Sequence, residues 1–233
     1  MKKLLLTLVL AAASLGATAQ TTAAPAAKAT AAPAGYTEQL GATIAQVMTT
    51  GDAAELQALA AKLERAAAVA PADWLPRYYQ AYALVVSAFT GKEGGAAKDN
   101  ALDQAEAALA QAQRLHGDES ELLALHAYLY QARLSVEPGV RAQEYSAKAQ
   151  EAADQAQAIN PANPRPYLIG ANNLYYTPVN FGGGPAAAQP LYEAARARFA
   201  AFRPAGPLAP SWGQSQVQAR LKAYAAAAGQ PTR

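Results

Sequence analysis

Three turn positions in the middle of the chain define a repeating frame. The turns are at Pro71, Gly117 and Pro161, which lie 46 and then 44 residues apart. The residue ten positions after each turn is alanine: Ala81, Ala127 and Ala171. Small or apolar residues also stand five, eight and twelve positions before each turn: Ala66, Leu63 and Leu59; Ala112, Leu109 and Ala105; Ala156, Ala153 and Ala149. Such spacings put side chains on one helix face, so the frame predicts repeated helical pairs.

Helices are the only regular structure that the pattern supports from Tyr36 onward. Apolar and polar residues do not alternate over any long stretch, whereas Ala, Leu, Gln and Glu recur at steps of three and four. Asp52 followed by Glu55, and Asp118 followed by Glu121, have the form of capping pairs, which mark helix starts. We expect a later helix to begin near Pro190, after a short turn, because proline is disfavoured deep inside a helix.

The alanine pattern resembles a known repeat family. Ala149, Ala153, Ala156 and Pro161 match the spacing of the second helix of tetratricopeptide repeats, although Ala153 replaces the usual large residue. The 46- and 44-residue spacings exceed the 34 residues typical of that family, and its first-helix signature is degraded. The resemblance implies an all-α fold: an α-solenoid of about four antiparallel helical hairpins. A C-terminal capping helix, Ser211 to Ala228, is expected to cover the last hairpin with Trp212, Val217, Leu221 and Tyr224.

The N-terminal region predicts export. Residues 1–19 combine Lys2 and Lys3, an apolar run and the triplet Ala17-Thr18-Ala19, which is typical of a secretory signal peptide. Residues 20–35 are almost entirely Ala, Thr and Pro and are expected to form a disordered tether. The repeat domain is expected over residues 36–229. Because of the signal peptide, we expect a soluble protein that is periplasmic or secreted. The chain has 0 Cys, so we expect that it is not a lipoprotein and has no disulfides.

Charge and residue types argue against several function classes. The chain has 19 Lys+Arg and 17 Asp+Glu, and loss of Lys2 and Lys3 with the signal makes the formal charge zero. This balance gives no electrostatic reason to expect nucleic acid or an anionic membrane as a partner. The two histidines, His116 and His126, are ten residues apart and share no metal-ligand spacing. We therefore predict no enzyme, no catalytic residue, no metal and no cofactor.

Tyrosines supply the main candidates for a partner surface. Tyr82 and Tyr128 each follow an alanine of the repeat by one position, so stacked hairpins would place them in a ladder on one face. In the tetratricopeptide family the first helices line a concave groove that holds a peptide, and tyrosine suits such contacts. The candidates for this groove are Arg77, Tyr82, Tyr128, Gln131 and Tyr175. The alternative is that these rings fill space left by the alanines.

A second candidate site lies between residues 160 and 185. Asn172 and Asn173 sit among apolar residues of a predicted helix, where asparagine is unfavourable, and a triple-glycine turn follows. The amides are expected to bond to residues 181–184 or to face a ligand. The ligand candidates are Asn172, Asn173, Tyr176, Gly182, Gly183 and Gly184. The glycine turn lacks the lysine and hydroxyl residue of a phosphate loop, so a tight turn is the simpler interpretation.

The sequence as a whole predicts a non-catalytic binding protein. The first hypothesis is an exported helical scaffold that holds a protein or peptide partner of unknown identity in the cell envelope. The alternative is a small-ligand module, such as a transporter-associated component, with a pocket between the Asn172 helix and the glycine turn. The oligomeric state is left open.

Overall fold

The structure is a computed structural model that describes residues 32–228. The expected signal peptide (1–19) and most of the expected tether (20–35) lie outside the described residues. The helices are α1 (Tyr36–Thr49), α2 (Ala53–Val69), α3 (Leu75–Thr90), α4 (Gly95–Arg114), α5 (Glu119–Val136), α6 (Pro138–Ile159), α7 (Arg165–Tyr176), α8 (Pro185–Ala201) and α9 (Gln214–Ala228). A 3₁₀ turn, Val179–Phe181, lies between α7 and α8.

The helices form four antiparallel hairpins and one additional helix. Consecutive helices pack as α1/α2, α3/α4, α5/α6 and α7/α8, and the first helices α1, α3, α5 and α7 also stack on one another in order. This arrangement confirms the predicted all-α solenoid-like architecture. Within residues 32–228, no helix has the combination of length and apolar character needed to span a membrane.

The alanine positions of the repeat are the contact surfaces between helices. Ala81, Ala127 and Ala171 are fully buried at the centres of α3, α5 and α7. Alanine carries only a methyl group, so neighbouring helices approach closely at these points and the larger residues pack around them. Leu56, Leu63, Leu102, Leu109, Leu125 and Leu129 fill the spaces between helices and are also fully buried.

The predicted caps are present at the helix starts. The carboxylate of Asp52 accepts from the Glu55 amide at 2.8 Å, and that of Asp118 accepts from the Glu121 amide at 2.9 Å. These bonds satisfy backbone donors that have no partner within a helix. The capping pairs therefore mark the observed starts of α2 and α5.

The start of α8 differs from the sequence expectation. The helix begins at Pro185 and runs through Pro190, instead of beginning near Pro190. Pro185 occupies the first turn, where a missing amide hydrogen costs nothing. Pro190 and Ala186 both lie on the exposed side of the helix, so solvent can satisfy the carbonyl that Pro190 leaves without a donor.

The C-terminal segment, residues 202–213, crosses the stack of first helices. The Tyr79 hydroxyl of α3 donates to the carbonyls of Leu208 and Ala209 at 3.2 and 3.1 Å. The Leu208 side chain packs closely against Gly41 of α1, where a Cβ would lie 3.2 Å from it. One short segment thus contacts helices that are far apart in sequence.

Trp212 corrects the expectation that the C-terminus covers only the last hairpin. Its ring stacks on Tyr82 of α3 at 5.4 Å and on Tyr128 of α5 at 5.1 Å. Its indole nitrogen donates to the Tyr78 hydroxyl at 2.7 Å. Trp212 therefore sits over the middle hairpins, whereas Tyr224 of α9 packs near Tyr192 of the last one. The Pro-rich loop before Trp212 is long enough to carry it back across the stack.

A buried arginine anchors the C-terminal segment. Arg165, at the start of α7, is fully buried and pairs with the Glu121 carboxylate of α5 at 2.7 Å. Its other terminal nitrogen donates to the Pro210 carbonyl, and the Trp212 ring lies 5.6 Å from the guanidinium. A buried charge must be paired and hydrogen-bonded to be tolerated, so these partners are fixed relative to one another.

Candidate functional site

The side of α3 and α5 that was predicted to form a groove is occupied by the chain itself. Tyr82 and Tyr128 are only 6% and 9% exposed, because the Trp212 ring lies over both. Burial raises the pKa of the Tyr128 phenol to about 12, and the Gln216 amide of α9 partly opposes this by donating to its oxygen. These two rings pack against the C-terminal segment and do not face solvent.

The remaining groove candidates lie in separate places. Arg77 of α3 donates to Gln80 of the same helix at 2.8 Å and lies 3.7 Å from Glu64 of α2. Gln131 bridges α5 and α7 by donating to the Ile169 carbonyl at 2.9 Å. Tyr175 belongs to an aromatic cluster at the far end of α7. The five candidates therefore do not form one continuous surface.

Asn172 and Asn173 bond to helices instead of the glycine turn. The Asn172 oxygen accepts from the Tyr192 hydroxyl of α8 at 2.6 Å. The Asn173 oxygen accepts from the Gln131 amide of α5 at 2.7 Å, and its nitrogen donates to Gln150 of α6 at 3.3 Å. These hydrogen bonds to other helices form in place of the expected bonds to residues 181–184, because both amides lie where α7 meets its neighbouring helices. In this structure they connect α7 to three other helices, α5, α6 and α8.

The three glycines form a tight turn with internal hydrogen bonds. Gly182 and Gly184 have φ of 82° and 101°, a region that favours glycine. A Cβ on Gly183 would lie 2.3 Å from the Thr177 carbonyl oxygen. The Gly184 amide donates to the Leu174 carbonyl at 2.9 Å, and the other two amides also have backbone acceptors. The turn folds back on the end of α7 and leaves no amide of the three glycines free for an anion.

An aromatic cluster with one arginine lies where α7, α8 and α9 meet. It contains Tyr175, Tyr176, Tyr192 and Tyr224 around Arg220, and we call it the tyrosine–arginine cluster. The guanidinium of Arg220 lies 3.9 Å from the centre of the Tyr175 ring and donates to the Tyr176 oxygen at 3.2 Å. Desolvation by burial raises the pKa of Tyr192. A cation over aromatic faces is held electrostatically, which fixes Arg220 at this surface.

Highly exposed apolar residues follow the last residue of α7 along the chain. Tyr176 is 70% exposed, and Val179 and Phe181 in the following 3₁₀ turn are each 76% exposed. Large apolar side chains next to one another at a surface commonly mark a binding site. We define Tyr176, Val179, Phe181 and Arg220 as the exposed aromatic surface.

Neither histidine belongs to the tyrosine–arginine cluster or to the exposed aromatic surface. His126 lies on α5 with its Nε2 buried and without a hydrogen-bond partner, and burial lowers its pKa. His116 is at the end of α4 with φ of 57°. Within residues 32–228, no group of three or more His, Cys, Asp or Glu side chains could hold a metal ion.

Reasoning from the sequence missed three parts of this arrangement. Arg220 lay in an Ala-rich helix with no motif around it, and Glu121 looked like an ordinary capping residue although its carboxylate pairs with Arg165. Val179 and Phe181 carried a usable signal, since apolar residues in a Pro- and Gly-bounded turn have no core to enter.

Together these features define a helical repeat protein that presents an exposed aromatic and cationic surface, which is the design of a binding protein. Comparison with protein-family models and with curated proteins gives no match. Among solved structures, the chain is similar to the HusA haemophore from Porphyromonas gingivalis, with 34% identity, a TM-score of 0.74 and coverage of 86% of this chain and 99% of that one. The chain therefore belongs to the HusA haemophore family.

The comparison bears on the earlier expectations. The similar protein is a haemophore, which binds a ligand and is not an enzyme. This favours the small-ligand alternative over the protein scaffold that was the first hypothesis. The comparison supports a helical repeat-like fold but names no tetratricopeptide family.

Proposed function

We propose that this protein is an exported haem-binding protein and that the exposed aromatic surface holds the haem. The observation that carries the proposal is the family relationship to a haemophore, together with an apolar surface beside Arg220. Haem is a flat apolar ring with two carboxylates at one edge. It requires aromatic or aliphatic faces for the ring and a cation for the carboxylates.

The exposed aromatic surface meets both requirements. The Tyr176 and Phe181 side chains are exposed enough to stack on a flat ring, and offset stacking of aromatic rings is favourable beyond the area that it buries. Arg220 supplies the cation for a carboxylate, and its planar guanidinium suits two parallel hydrogen bonds. Because Tyr175 and Tyr176 already orient the guanidinium, little side-chain entropy is lost when it binds.

A small ligand fits the structure better than a peptide along the first helices. The side of α3 and α5 that would receive a peptide is covered by Trp212. A peptide would have to displace a segment held by the Tyr79 and Arg165 hydrogen bonds. The exposed aromatic surface requires no such displacement.

Titration with haem tests the proposal. We expect wild-type protein to change the haem absorption spectrum. Bound haem should quench the fluorescence of Trp212 less than that of the tyrosines near α9. Arg220→Ala is expected to weaken binding about tenfold, which corresponds to ~1.4 kcal/mol. Phe181→Ala is expected to weaken it by a similar factor, because a stacking face is lost.

Two matched variants serve as controls. Arg196→Ala removes a surface arginine of α8 that pairs with Glu193, and Val140→Ala removes an exposed apolar side chain of α6. Both should leave haem affinity unchanged. Equal losses in Arg196→Ala and Arg220→Ala would show that only net charge matters and would contradict this site. Titration with iron-free protoporphyrin separates recognition of the ring from any contribution of the iron.

A further inference from the structure

A cavity of about 430 Å³ lies on the other side of α3 from the C-terminal segment, between α2 and α4. Both helices pack against α3, and the cavity opens where they diverge. Its polar lining comes from three helices and from the loop between α3 and α4: Gln57, Glu64, Gln80, Glu93, Asn100 and Gln104. The volume is within the range of small-molecule sites. None of the residues of the exposed aromatic surface contributes to it.

The internal repeat explains why the cavity is open here. Gln80 and Leu84 of α3 line the cavity, and the residues 46 positions later in α5 are His126 and Tyr130. In α5 the two rings stack in parallel at 5.5 Å, and Tyr130 contacts the Tyr145 ring of α6 at 6.1 Å. The third hairpin (α5/α6) thus fills with aromatic rings the place that the second (α3/α4) leaves empty.

The hydrogen bonds already made within the cavity decide what it offers to a ligand. Gln80 is only 7% exposed. Its side-chain oxygen accepts a hydrogen bond from Arg77 at 2.8 Å, so its amide nitrogen remains as a donor. The Gln104 nitrogen donates to the Asn100 oxygen at 2.6 Å, which leaves the Asn100 nitrogen as a donor and the Gln104 oxygen as an acceptor. Donors and acceptors are therefore interspersed.

The charges of the lining exclude an anion and do not require a cation. Glu64 and Glu93 both line the cavity, and an anion would be repelled by them. Glu64 lies 3.7 Å from Arg77, which partly neutralises it. A hydroxyl group both donates and accepts, so a ligand rich in hydroxyls can match carboxamides and carboxylates at once.

We propose that this cavity is a second binding site, distinct from the exposed aromatic surface, for a neutral hydroxyl-rich ligand of mono- or disaccharide size. Gln80 and Asn100 donate to ligand oxygens, and Glu93 and Gln104 accept from ligand hydroxyls. Ala60, Leu84 and Ala101 form the buried apolar floor against which the carbon skeleton packs.

Nuclear magnetic resonance titration of the ¹⁵N-labelled protein tests the site, with galactose, N-acetylglucosamine and maltose as separate probes. At least one sugar is expected to shift the amide signals of α2, α3 and α4 that line the cavity, and to leave those of α7 and α9 in place. Prior saturation with haem should not change these shifts. If no sugar perturbs the lining, if haem competes, or if the diamine putrescine binds there instead, the proposal is wrong.

Two variants separate binding from folding. The double variant Gln80→His/Leu84→Tyr places the side chains of the third hairpin into the second, and it should abolish the sugar-induced shifts while circular dichroism and haem binding stay as in wild type. Asn100→Ala removes one hydrogen-bond donor at an exposed position, and it should weaken sugar binding without loss of structure. Shifts that persist in both variants would overturn the proposal.

Discussion

At the residue scale, the buried pair of Arg165 and Glu121 is the most consequential contact in the molecule. It joins α7 to α5, and Arg165 then holds the Pro210 carbonyl of the C-terminal segment. Tyr78 also faces the Glu121 carboxylate, at 3.4 Å. Removing one member of a buried ion pair commonly costs about 3–5 kcal/mol, because the other charge stays buried without compensation.

Glu121 predicts a specific pH dependence of stability. Burial raises the pKa of its carboxyl to about 7, with Arg165 opposing the increase and Asp118 adding to it. The folded protein therefore binds this proton more tightly than the unfolded chain does, so protonation of Glu121 favours folding. This contribution to the free energy of unfolding is fully present below the ordinary pKa of the carboxyl, and it is lost as the pH rises through about 7.

The test compares wild type with Glu121→Gln, which keeps an oxygen for Arg165 but cannot titrate. The free energy of unfolding of wild type relative to the variant should decrease between about pH 4.5 and 7, the ordinary and shifted pKa values. Urea denaturation across this range measures it. Parallel pH profiles for the two proteins would contradict the assignment.

At the element scale, the C-terminal segment depends on a glycine at the start of α9. Gly213 has φ of 104°, and a Cβ there would lie 2.7 Å from the Phe199 ring and 3.1 Å from Leu168. The backbone passes so close to α7 and α8 that it leaves no room for a side chain. Trp212 reaches its position over Tyr82 and Tyr128 only because the chain turns at Gly213.

Gly213→Ala is therefore expected to destabilise the fold by about 1–3 kcal/mol, from backbone strain and overpacking. Gly206→Ala is the matched control, since it changes the same residue type in the same segment where no atom lies within 4 Å of the added Cβ. That control should be neutral or slightly stabilising, by about 0.4–1 kcal/mol. Thermal unfolding of both variants decides, and similar losses would contradict the prediction.

At the scale of the whole molecule, the C-terminal segment changes how a solenoid behaves. Repeats in a simple solenoid contact only their neighbours, so the ends can unfold separately. Here the segment after α8 contacts α1 through Leu208, α3 through Tyr79 and α7 through Arg165. These contacts couple the first and last hairpins directly.

We therefore expect one cooperative unfolding transition. The chain has 2 Trp: Trp74 lies at the start of α3, and Trp212 lies in the C-terminal segment. Their fluorescence and the far-ultraviolet circular dichroism should give the same urea midpoint. The variant Trp212→Phe, which leaves Trp74 as the single reporter, controls for signal overlap. Two separated transitions would show that the hairpins unfold independently.

Much of the architecture could be predicted from the sequence because it depends on local signals. The turns at Pro71, Gly117 and Pro161 and the caps at Asp52 and Asp118 concern neighbouring residues only. The alanine spacing encodes how closely adjacent helices approach, so the hairpins follow from it. The arrangement of the candidate site residues was harder to predict from the sequence, although Tyr175 and Tyr176 both lie beside Arg220.

Only the tertiary structure decided what occupies the face of the first helices. Trp212 lies 130 and 84 residues from Tyr82 and Tyr128 along the chain, and no local pattern links them. The same holds for Glu121, whose sequence context is that of a cap and whose carboxylate is buried against Arg165. Helices and their order follow from short-range periodicity, whereas the path of an irregular Pro-rich segment depends on long-range packing that periodicity does not encode.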